Sequence, residues 1–458
     1  MVDLLIKNGK IVTMDNERTI IDSGSIAIEE GKIIAVGKSD ALTKEYKSEF
    51  TVDAKDKIVI PGLINTHTHL YQNLLKGMTD SLTLVDWISE VLYPLSHVAN
   101  EDLQAGRYDI GYYGALMAFL EMLRSGTTCF VGMDGPNPFI CKAAKEIGIR
   151  GIHSLVMVDI WIPEDVRLPV EKQVELSKEI ITKWHGAENG RIKCMIGPST
   201  PFCCTEEFLL ECKRISDKHN LWLNIHMSET EYEVKLIKDN YGKRPAEFLN
   251  DIGFLSPKLL AVHCVHLDEK EIRILKSKDV KVSHNPESNM KLASGIAPII
   301  KMLNSGITVG LATDGSASND NLDMFEAMRT AAFLHKLSTG NPRVISAQKV
   351  LEMATIDAAR AIGLSDEVGS IEVGKKADIT IINAKKASLQ PIHDVVQTLV
   401  YCASGADVAT VIIDGKIIFD EGRIITLDEE KIIEKANEVA LDTMRRAKEY
   451  LPKASWMK

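Results

Sequence analysis

The chain has 458 residues, of which 45% are apolar and 26% charged, and its formal net charge at neutral pH is -10. This composition excludes a disordered chain and allows one large globular domain together with a smaller one. Because Lys and Arg are scattered through an acidic chain, we do not expect a nucleic-acid partner.

The N-terminal segment does not resemble a secretion signal. The sequence MVDLLIKNGKIVTMD has lysines where a signal peptide would have its apolar core. No stretch approaches the roughly 20 apolar residues that a membrane-spanning helix needs. We therefore expect a cytoplasmic protein with no membrane partner.

The two ends of the chain share a pattern of short β-rich runs separated by turns. Residues 1–58 contain LLIKNGKIVTM and SIAIEEGKIIAVG, and residues 366–425 contain GSIEVGKKADITIIN. Gly31 and Gly415 stand where hairpins need a residue that tolerates positive φ. These two segments are predicted to join into one composite β-sandwich domain, followed by a C-terminal helical extension over residues 426–458.

Residues 59–365 follow a different pattern, in which apolar runs alternate with longer helical segments. Eight runs occur in order: KIVIPGLIN, TTCFVGM, IRGIHSLVMV, RIKCMIGPS, LWLNIHM, LLAVHC, VKVSHN and ITVGLATD. Continuous apolar strands alternating with helices indicate a parallel sheet covered on both faces. Eight such units predict an α/β fold, a closed (β/α)₈ barrel of the TIM type, whose catalytic side chains come from the C-terminal ends of the strands.

Polar side chains that can bind metal follow five of these runs. They are His67, His69, His226, His263, His284 and Asp314. His67 and His69 lie two apart on an extended segment, so their imidazoles point the same way. Imidazoles and a carboxylate suit zinc or ferrous iron, with a position left for water. Since the fourth run offers no Lys to bridge a second metal, the sequence predicts one divalent ion, Zn²⁺ or Fe²⁺.

Glu229 follows His226 by three residues and can act as a general acid and base beside the metal. A carboxyl group there can bind a water molecule and pass its proton to a departing nitrogen. His263 is predicted to orient the same water. For His284 two alternatives remain, a contact with substrate or support of its own loop.

The motifs around these histidines, Glu229 and Asp314 resemble those of the amidohydrolase superfamily, and more closely those of its cytosine-deaminase-like branch. Within that branch the chain looks most like methylthioadenosine/S-adenosylhomocysteine deaminases and s-triazine hydrolases. The similarity covers essentially the whole chain. The matching motifs are residues 61–69, 226–229, 263–266, 283–286, 313–320 and 369–378.

The resemblance implies roles for individual residues. One divalent ion would be bound by His67, His69, His226 and Asp314. Glu229 would shuttle a proton, His263 would polarise the water, and Asp314 would also act as the base. Water would then attack a ring carbon that bears an amino group, and ammonia would leave. The resemblance also implies a homo-oligomer.

Three departures from that pattern weigh against a nucleoside substrate. Ser96 follows Tyr93-Pro94-Leu95, where nucleoside deaminases of this type have a Glu that holds the ribose hydroxyls. The fourth run ends in Pro198-Ser199-Thr200-Pro201 and lacks the His of the usual Pro-His-x-Pro turn. Leu155 replaces one of two arginines expected to bind the amino-acid tail of S-adenosylhomocysteine, with Arg167 a candidate for the other.

A hydrolytic deaminase of a small aminated heterocycle is therefore the main prediction: a free purine or pyrimidine base, a pterin or an amino-triazine. Trp87 is predicted to form a wall of the substrate pocket, since a planar ring gains contact area on an aromatic face. Further substrate contacts are assigned to Glu229, Ser199, His284 and Gln72. Alternatives are a methylthioadenosine/S-adenosylhomocysteine deaminase, a triazine hydrolase removing chloride or an alkylamine, and a non-catalytic metal-binding barrel.

Overall fold

The computed structural model describes residues 1–78 and 80–450, and within them seventeen strands form two separate sheets. The N-terminal strands are β1 (Val2–Val12), β2 (Ile20–Glu29), β3 (Lys32–Lys38), β4 (Ser48–Asp53) and β5 (Lys57–Pro61). The next eight are β6 (Leu63–Thr68), β7 (Thr127–Asp134), β8 (Arg150–Met157), β9 (Ile192–Pro198), β10 (Trp222–Met227), β11 (Leu259–His263), β12 (Lys281–His284) and β13 (Val309–Leu311). The last four are β14 (Ile379–Asn383), β15 (Val408–Ile413), β16 (Lys416–Asp420) and β17 (Arg423–Ile424).

The helices lie mainly between the strands of the second sheet. Those before β9 are α1 (Ser39–Glu45), α2 (Leu84–Trp87), α3 (Tyr93–Gln104), α4 (Asp109–Arg124), α5 (Pro138–Ile147) and α6 (Val170–Trp184). The next six are α7 (Glu206–His219), α8 (Glu231–Tyr241), α9 (Pro245–Asp251), α10 (Glu269–Ser277), α11 (Pro286–Lys291) and α12 (Ile299–Asn304). The last five are α13 (Met324–Thr339), α14 (Ala347–Met353), α15 (Ile356–Ala361), α16 (Val395–Tyr401) and α17 (Glu429–Ala447). None of the helices within residues 1–78 and 80–450 combines the length and apolar composition needed to cross a bilayer.

One sheet is built from both ends of the chain. Its strand order is β17-β16-β15-β14-β5-β1-β2-β3, with β4 paired to β1. The two ends meet where β5 runs antiparallel to β14 and Val59 pairs with Ile381. A cluster of fully buried Ile, Val and Ala side chains fills its core. The predicted sheet domain formed by both termini is therefore confirmed, and the limits 1–58, 366–425 and 59–365 remain predictions.

The other sheet is the predicted barrel, with parallel strands in the order β6 to β13 among the described residues. Side chains join the first strand to the last. Thr66 Oγ1 donates to the carbonyl of Leu311 at 3.1 Å, and Asn65 Oδ1 accepts the N–H of Thr313 at 3.2 Å. The N–H of Asp314 then donates to the carbonyl of His67 at 3.1 Å. This closure brings the first and last predicted metal ligands together.

The first predicted apolar run belongs to both sheets. Residues 57–61 form β5, residues 63–68 form β6, and Gly62 separates them. A Cβ at Gly62 would lie 2.0 Å from Thr128 Oγ1, so only glycine fits at this crossing. A second link between the two sheets is a buried ion pair, in which Arg150 Nε lies 2.6 Å from Asp378 Oδ2.

The C-terminal helix α17 packs against the segment that covers the barrel mouth. Arg446 Nη2 lies 2.7 Å from Glu101 and 2.8 Å from Asp102, both on α3. Helix α17 spans 429–447 of the predicted extension 426–458, and residues 451–458 lie outside the described part of the chain.

Candidate active site

Three histidines converge at the C-terminal ends of β6 and β10. One nitrogen from each of His67, His69 and His226 lies within 4.8 Å of the others, close enough to share one ion. Backbone carbonyl groups fix the Nδ1 atoms of two of these rings. His69 Nδ1 lies 2.5 Å from the carbonyl oxygen of Met133, and His226 Nδ1 lies 2.7 Å from that of Ser199. Such bonds leave Nε2 free to bind a metal.

The chemistry of His67 fits a bound cation. Its side chain is fully buried, and neither ring nitrogen has a hydrogen-bond partner among the described residues. Buried polar atoms without partners are costly and rare, so an unpaired imidazole beside two others indicates a missing ligand. Burial lowers the pKa of His67 to about 4, which keeps the ring neutral and able to bind metal.

Asp314 lies beside this cluster. Its Oδ1 is 3.4 Å from His67 Nε2 and 3.6 Å from His69 Nε2, while Oδ2 accepts the hydroxyls of Ser288 and Ser318. Burial by itself would raise the pKa of Asp314, but the close approach of the His67 ring lowers it well below its usual range. The backbone at Asp314 is left-handed with φ of 64°, a strained conformation that functional sites often retain.

Glu229 and His263 face each other across the site. Glu229 Oε2 lies 3.6 Å from His263 Nε2, and both side chains are buried. Burial raises the pKa of Glu229, which favours its protonated form and suits a group that must both take and give a proton. His263 Nδ1 lies 2.9 Å from Asn289 Oδ1 and 3.2 Å from Asn285 Nδ2, and its Nε2 faces Glu229.

Two buried carboxyl groups near the site were not identified from the sequence. Glu233 accepts the N–H groups of Ser228 and Glu229 at 2.8 and 2.9 Å and so fixes the turn that carries Glu229. Asp134 ends β7 and accepts the N–H groups of Leu70 and Tyr71. The position of Asp134 at a strand end could have revealed it, whereas nothing in the helical segment around Glu233 distinguishes that residue from a surface glutamate.

A cavity of about 430 Å³ opens beside these residues. His69, His226, Glu229, His263 and Asp314 lie in its wall. Most of the remaining lining is aliphatic or aromatic, including Leu75, Trp87, Ile88, Leu92, Trp161 and Phe202.

The cavity brings together four of the five predicted substrate contacts. Trp87, Gln72, Ser199 and Glu229 lie in its wall. Trp87 packs in a cluster with Leu75 and Leu95, and Gln72 Oε1 accepts the N–H of Ala317 at 3.4 Å. Their contacts with substrate remain predictions.

His284 lies elsewhere, outside the described residues that line the cavity. Its ring is fully buried, with Nε2 3.0 Å from His335 Nε2. Burial lowers the pKa of His284 well below its usual range. Of the two alternatives stated for His284, this position favours support of the surrounding structure.

The sequence model of the Amidohydrolase family matches residues 58–418, which is most of the chain. The chain belongs to the amidohydrolase family. This membership confirms both the family resemblance and the prediction of a hydrolase that acts on carbon–nitrogen bonds.

Curated relatives of this amidohydrolase are similar over nearly their whole length. A 5'-deoxyadenosine deaminase from Methanosarcina acetivorans is 44% identical over 447 residues, covering 98% of this chain and 100% of the relative. A 5-methylthioadenosine/S-adenosylhomocysteine deaminase from Desulforamulus reducens is 40% identical over 438 residues, covering 95% and 98%.

The solved structures give the same fold. An adenosine deaminase from Xanthomonas campestris with bound zinc superposes with a TM-score of 0.90 at 30% identity, covering 97% of this chain and 99% of that one. Triazine hydrolases are also among the similar structures, which confirms the second resemblance. The predicted barrel fold is confirmed, and the zinc in the Xanthomonas protein agrees with a histidine-rich metal site here.

Proposed function

We propose that this amidohydrolase is a metal-dependent deaminase of adenosine-type nucleosides. The enzyme would replace the exocyclic amino group of the adenine ring by oxygen and release ammonia. The observation that carries the proposal is a buried Glu229 in the wall of the same cavity that His69 and His226, two of the three convergent histidines, also line. Relatives at 40–44% identity that are named for such nucleosides support it.

His67, His69, His226 and Asp314 would hold one divalent ion, zinc or iron. Three neutral imidazoles and a carboxylate are a donor set that either metal accepts. Bound there, the ion would supply a Lewis acid that lowers the pKa of water and makes it a nucleophile near neutral pH.

Three side chains of the protein would then guide the protons. Asp314 would accept a proton from the attacking water as the new carbon–oxygen bond forms, and His263 would hold that water through Nε2. Glu229 would deliver a proton to the substrate nitrogen, so that the carbon–nitrogen bond breaks and the amine leaves as ammonia. The raised pKa of Glu229 supports this role, because a protonated acid is required at the departing nitrogen.

The cavity supports a nucleoside over the small free heterocycle that was the main prediction from the sequence. Its volume of about 430 Å³ exceeds what a single heterocycle fills, and falls within the range of ligand pockets. Planar bases gain contact area against rings such as Trp87 and Trp161.

The same wall favours an uncharged 5' substituent. Among the described residues that line the cavity, Arg107 is the one lysine or arginine, and its Nε and Nη2 both donate to Asp102. A carboxylate tail such as that of S-adenosylhomocysteine would therefore meet no uncommitted cation. We propose 5'-deoxyadenosine and methylthioadenosine as the preferred substrates.

Ammonia release from a panel of compounds tests the proposal. The panel contains 5'-deoxyadenosine, methylthioadenosine, S-adenosylhomocysteine, adenine, guanine, a pterin and an amino-triazine. We expect the highest kcat/KM with the first two. Turnover restricted to free bases, pterins or triazines would contradict the proposal, and so would a metal analysis that finds two ions per chain.

A further inference from the structure

Four carboxyl groups line the cavity among the described residues, and three are already engaged. Glu229 and Asp314 belong to the reaction site. Asp102 is held by two guanidinium groups, from Arg107 at 2.6 Å and Arg446 at 2.8 Å. Asp134 is the fourth, and neither the metal site nor an ion pair with a basic side chain uses it.

Asp134 is the last residue of β7, the strand that pairs with β6. Asp134 is one of the residues that line the cavity, its side chain is buried, and each carboxylate oxygen accepts one backbone N–H. Oδ2 accepts from Leu70 at 3.2 Å and Oδ1 from Tyr71 at 3.3 Å. Since a carboxylate oxygen can accept two hydrogen bonds, one acceptor position remains on each oxygen. Burial raises the pKa of Asp134 to about 6, so it is mostly ionised at neutral pH.

A carboxylate with one free acceptor position on each oxygen suits two neighbouring hydroxyl donors. Two other polar side chains of the cavity wall already make hydrogen bonds: the Ser96 hydroxyl donates to the carbonyl of Leu92 at 2.9 Å, and Asn137 Oδ1 accepts the N–H of Phe139 at 2.9 Å. Hydrogen bonds from hydroxyls to a buried carboxylate are short and strong. The ribose of a nucleoside carries such a pair of hydroxyls at its 2' and 3' positions.

We infer that Asp134 binds the ribose diol of the substrate and thereby selects nucleosides over free bases. The inference rests on the proposed function and adds a specificity-determining residue to it. Asp134 also caps the turn at residues 70–71, so a test must separate binding of the sugar from support of that turn.

The test compares Asp134→Asn with the wild type on two substrates, 5'-deoxyadenosine and 2',3',5'-trideoxyadenosine, which differ only in the two ribose hydroxyls. We expect the substitution to raise KM for 5'-deoxyadenosine by about 10- to 100-fold, the factor for losing hydrogen bonds to a charged acceptor. KM for the trideoxy compound should change by less than about threefold. Asp323→Asn is the matched control and should leave both KM values unchanged, because this carboxylate also accepts two backbone N–H groups but lies outside the described residues that line the cavity.

An equal rise in KM for both substrates would mean that Asp134 only supports the turn, and would overturn the inference. Unchanged KM values for both would also overturn it. A wild type that deaminates free bases but neither nucleoside would overturn the proposed function and this inference together. A wild type that deaminates both nucleosides, with a KM ratio that Asp134→Asn does not alter, would overturn this inference alone.

Discussion

The nine-stranded sheet and the C-terminal rim of the barrel both exclude water, but they bury opposite chemistry. The sheet core is filled by side chains such as Ile6, Ile26 and Ile381 with no exposed surface. The rim buries imidazoles and carboxyl groups, including His67 and Glu229. Burial of aliphatic groups favours folding, whereas burial of ionisable groups opposes it unless they are paired.

The two regions therefore affect the protein in different ways. Burial in the sheet core stabilises the fold, whereas the rim holds polar groups in strained positions that lower its stability. The left-handed backbone at His263 and Asp314, with φ of 68° and 64°, is an example of such strain at the rim. Substitutions in the sheet should therefore change stability, and substitutions at the rim should change the reaction.

The largest effect is expected at the rim, from Glu229→Gln. The amide keeps the shape of the side chain but cannot transfer a proton, so kcat should fall by about 10²- to 10⁴-fold. The midpoint of thermal unfolding should not decrease, because a buried ionisable group is removed. Steady-state ammonia release and thermal unfolding measure the two effects. Wild-type turnover in this variant would remove Glu229 from the mechanism.

The next largest effect is expected between the sheet and the barrel, from Asp378→Asn. The Arg150 side chain is 1% exposed, and the substitution leaves it without its closest charged partner. The free energy of unfolding should fall by about 3–5 kcal/mol, with kcat per folded molecule unchanged. Asp22→Asn, which breaks an exposed pair with Lys10 in the same sheet, is the control and should leave stability unchanged. A loss of kcat per folded molecule would show that this ion pair also affects the reaction, and would contradict the assignment of stability to the sheet and activity to the rim.

The next effect is expected from Glu233→Gln, which should change how the free energy of unfolding depends on pH. Burial raises the pKa of Glu233 from 4.5 to about 8, so its contribution to stability is complete below pH 4.5 and is lost as the pH rises to about 8. In that window the wild type should lose up to about 1.4 kcal/mol of unfolding free energy per pH unit through this group, and the variant should not.

Urea unfolding of both proteins at pH 5, 6.5 and 8 measures the difference between them. The variant should gain stability relative to the wild type as the pH rises. Glu231→Gln, at an exposed position on the first turn of the same helix, controls for the substitution itself. A difference that stays constant with pH would contradict the assigned titration.

The smallest effect is expected from Ile381→Val in the sheet core. Removing one buried methylene group should lower the free energy of unfolding by about 0.5–1.5 kcal/mol. Activity per folded molecule should stay at the wild-type level, since the residue lies in the sheet core, away from the cavity wall. Urea unfolding and ammonia release check the two statements, and a change in KM would show that the sheet and the site are coupled.

Much of the fold could be predicted from the sequence because hydrophobic burial is periodic. Each of the eight apolar runs contains a barrel strand, since a parallel strand covered on both faces must be apolar along its length. The crossing at Gly62 was not predicted, because apolar residues continue on both sides of Pro61-Gly62. Only the close approach of Thr128 reveals why the chain changes sheets there.

The site could be predicted in part. His67, His69, His226 and Asp314 each lie at the end of an apolar run. The barrel brings these strand ends together regardless of the conformation of the loops. Glu233 was missed because it acts by accepting backbone N–H groups of the turn just before its own helix, and Asp134 because it accepts those of a distant segment. For Asp134 the partners are 64 and 63 residues away in the chain.

Residue type and spacing were sufficient to predict the barrel, the sheet shared by the two termini, the candidate metal ligands and Glu229. Only the tertiary structure decided the rest: that His284 pairs with His335, that Arg107 is committed to Asp102, and that Asp134 lies in the cavity wall. Each of these depends on a hydrogen bond or a cavity whose geometry is fixed only after the chain has folded.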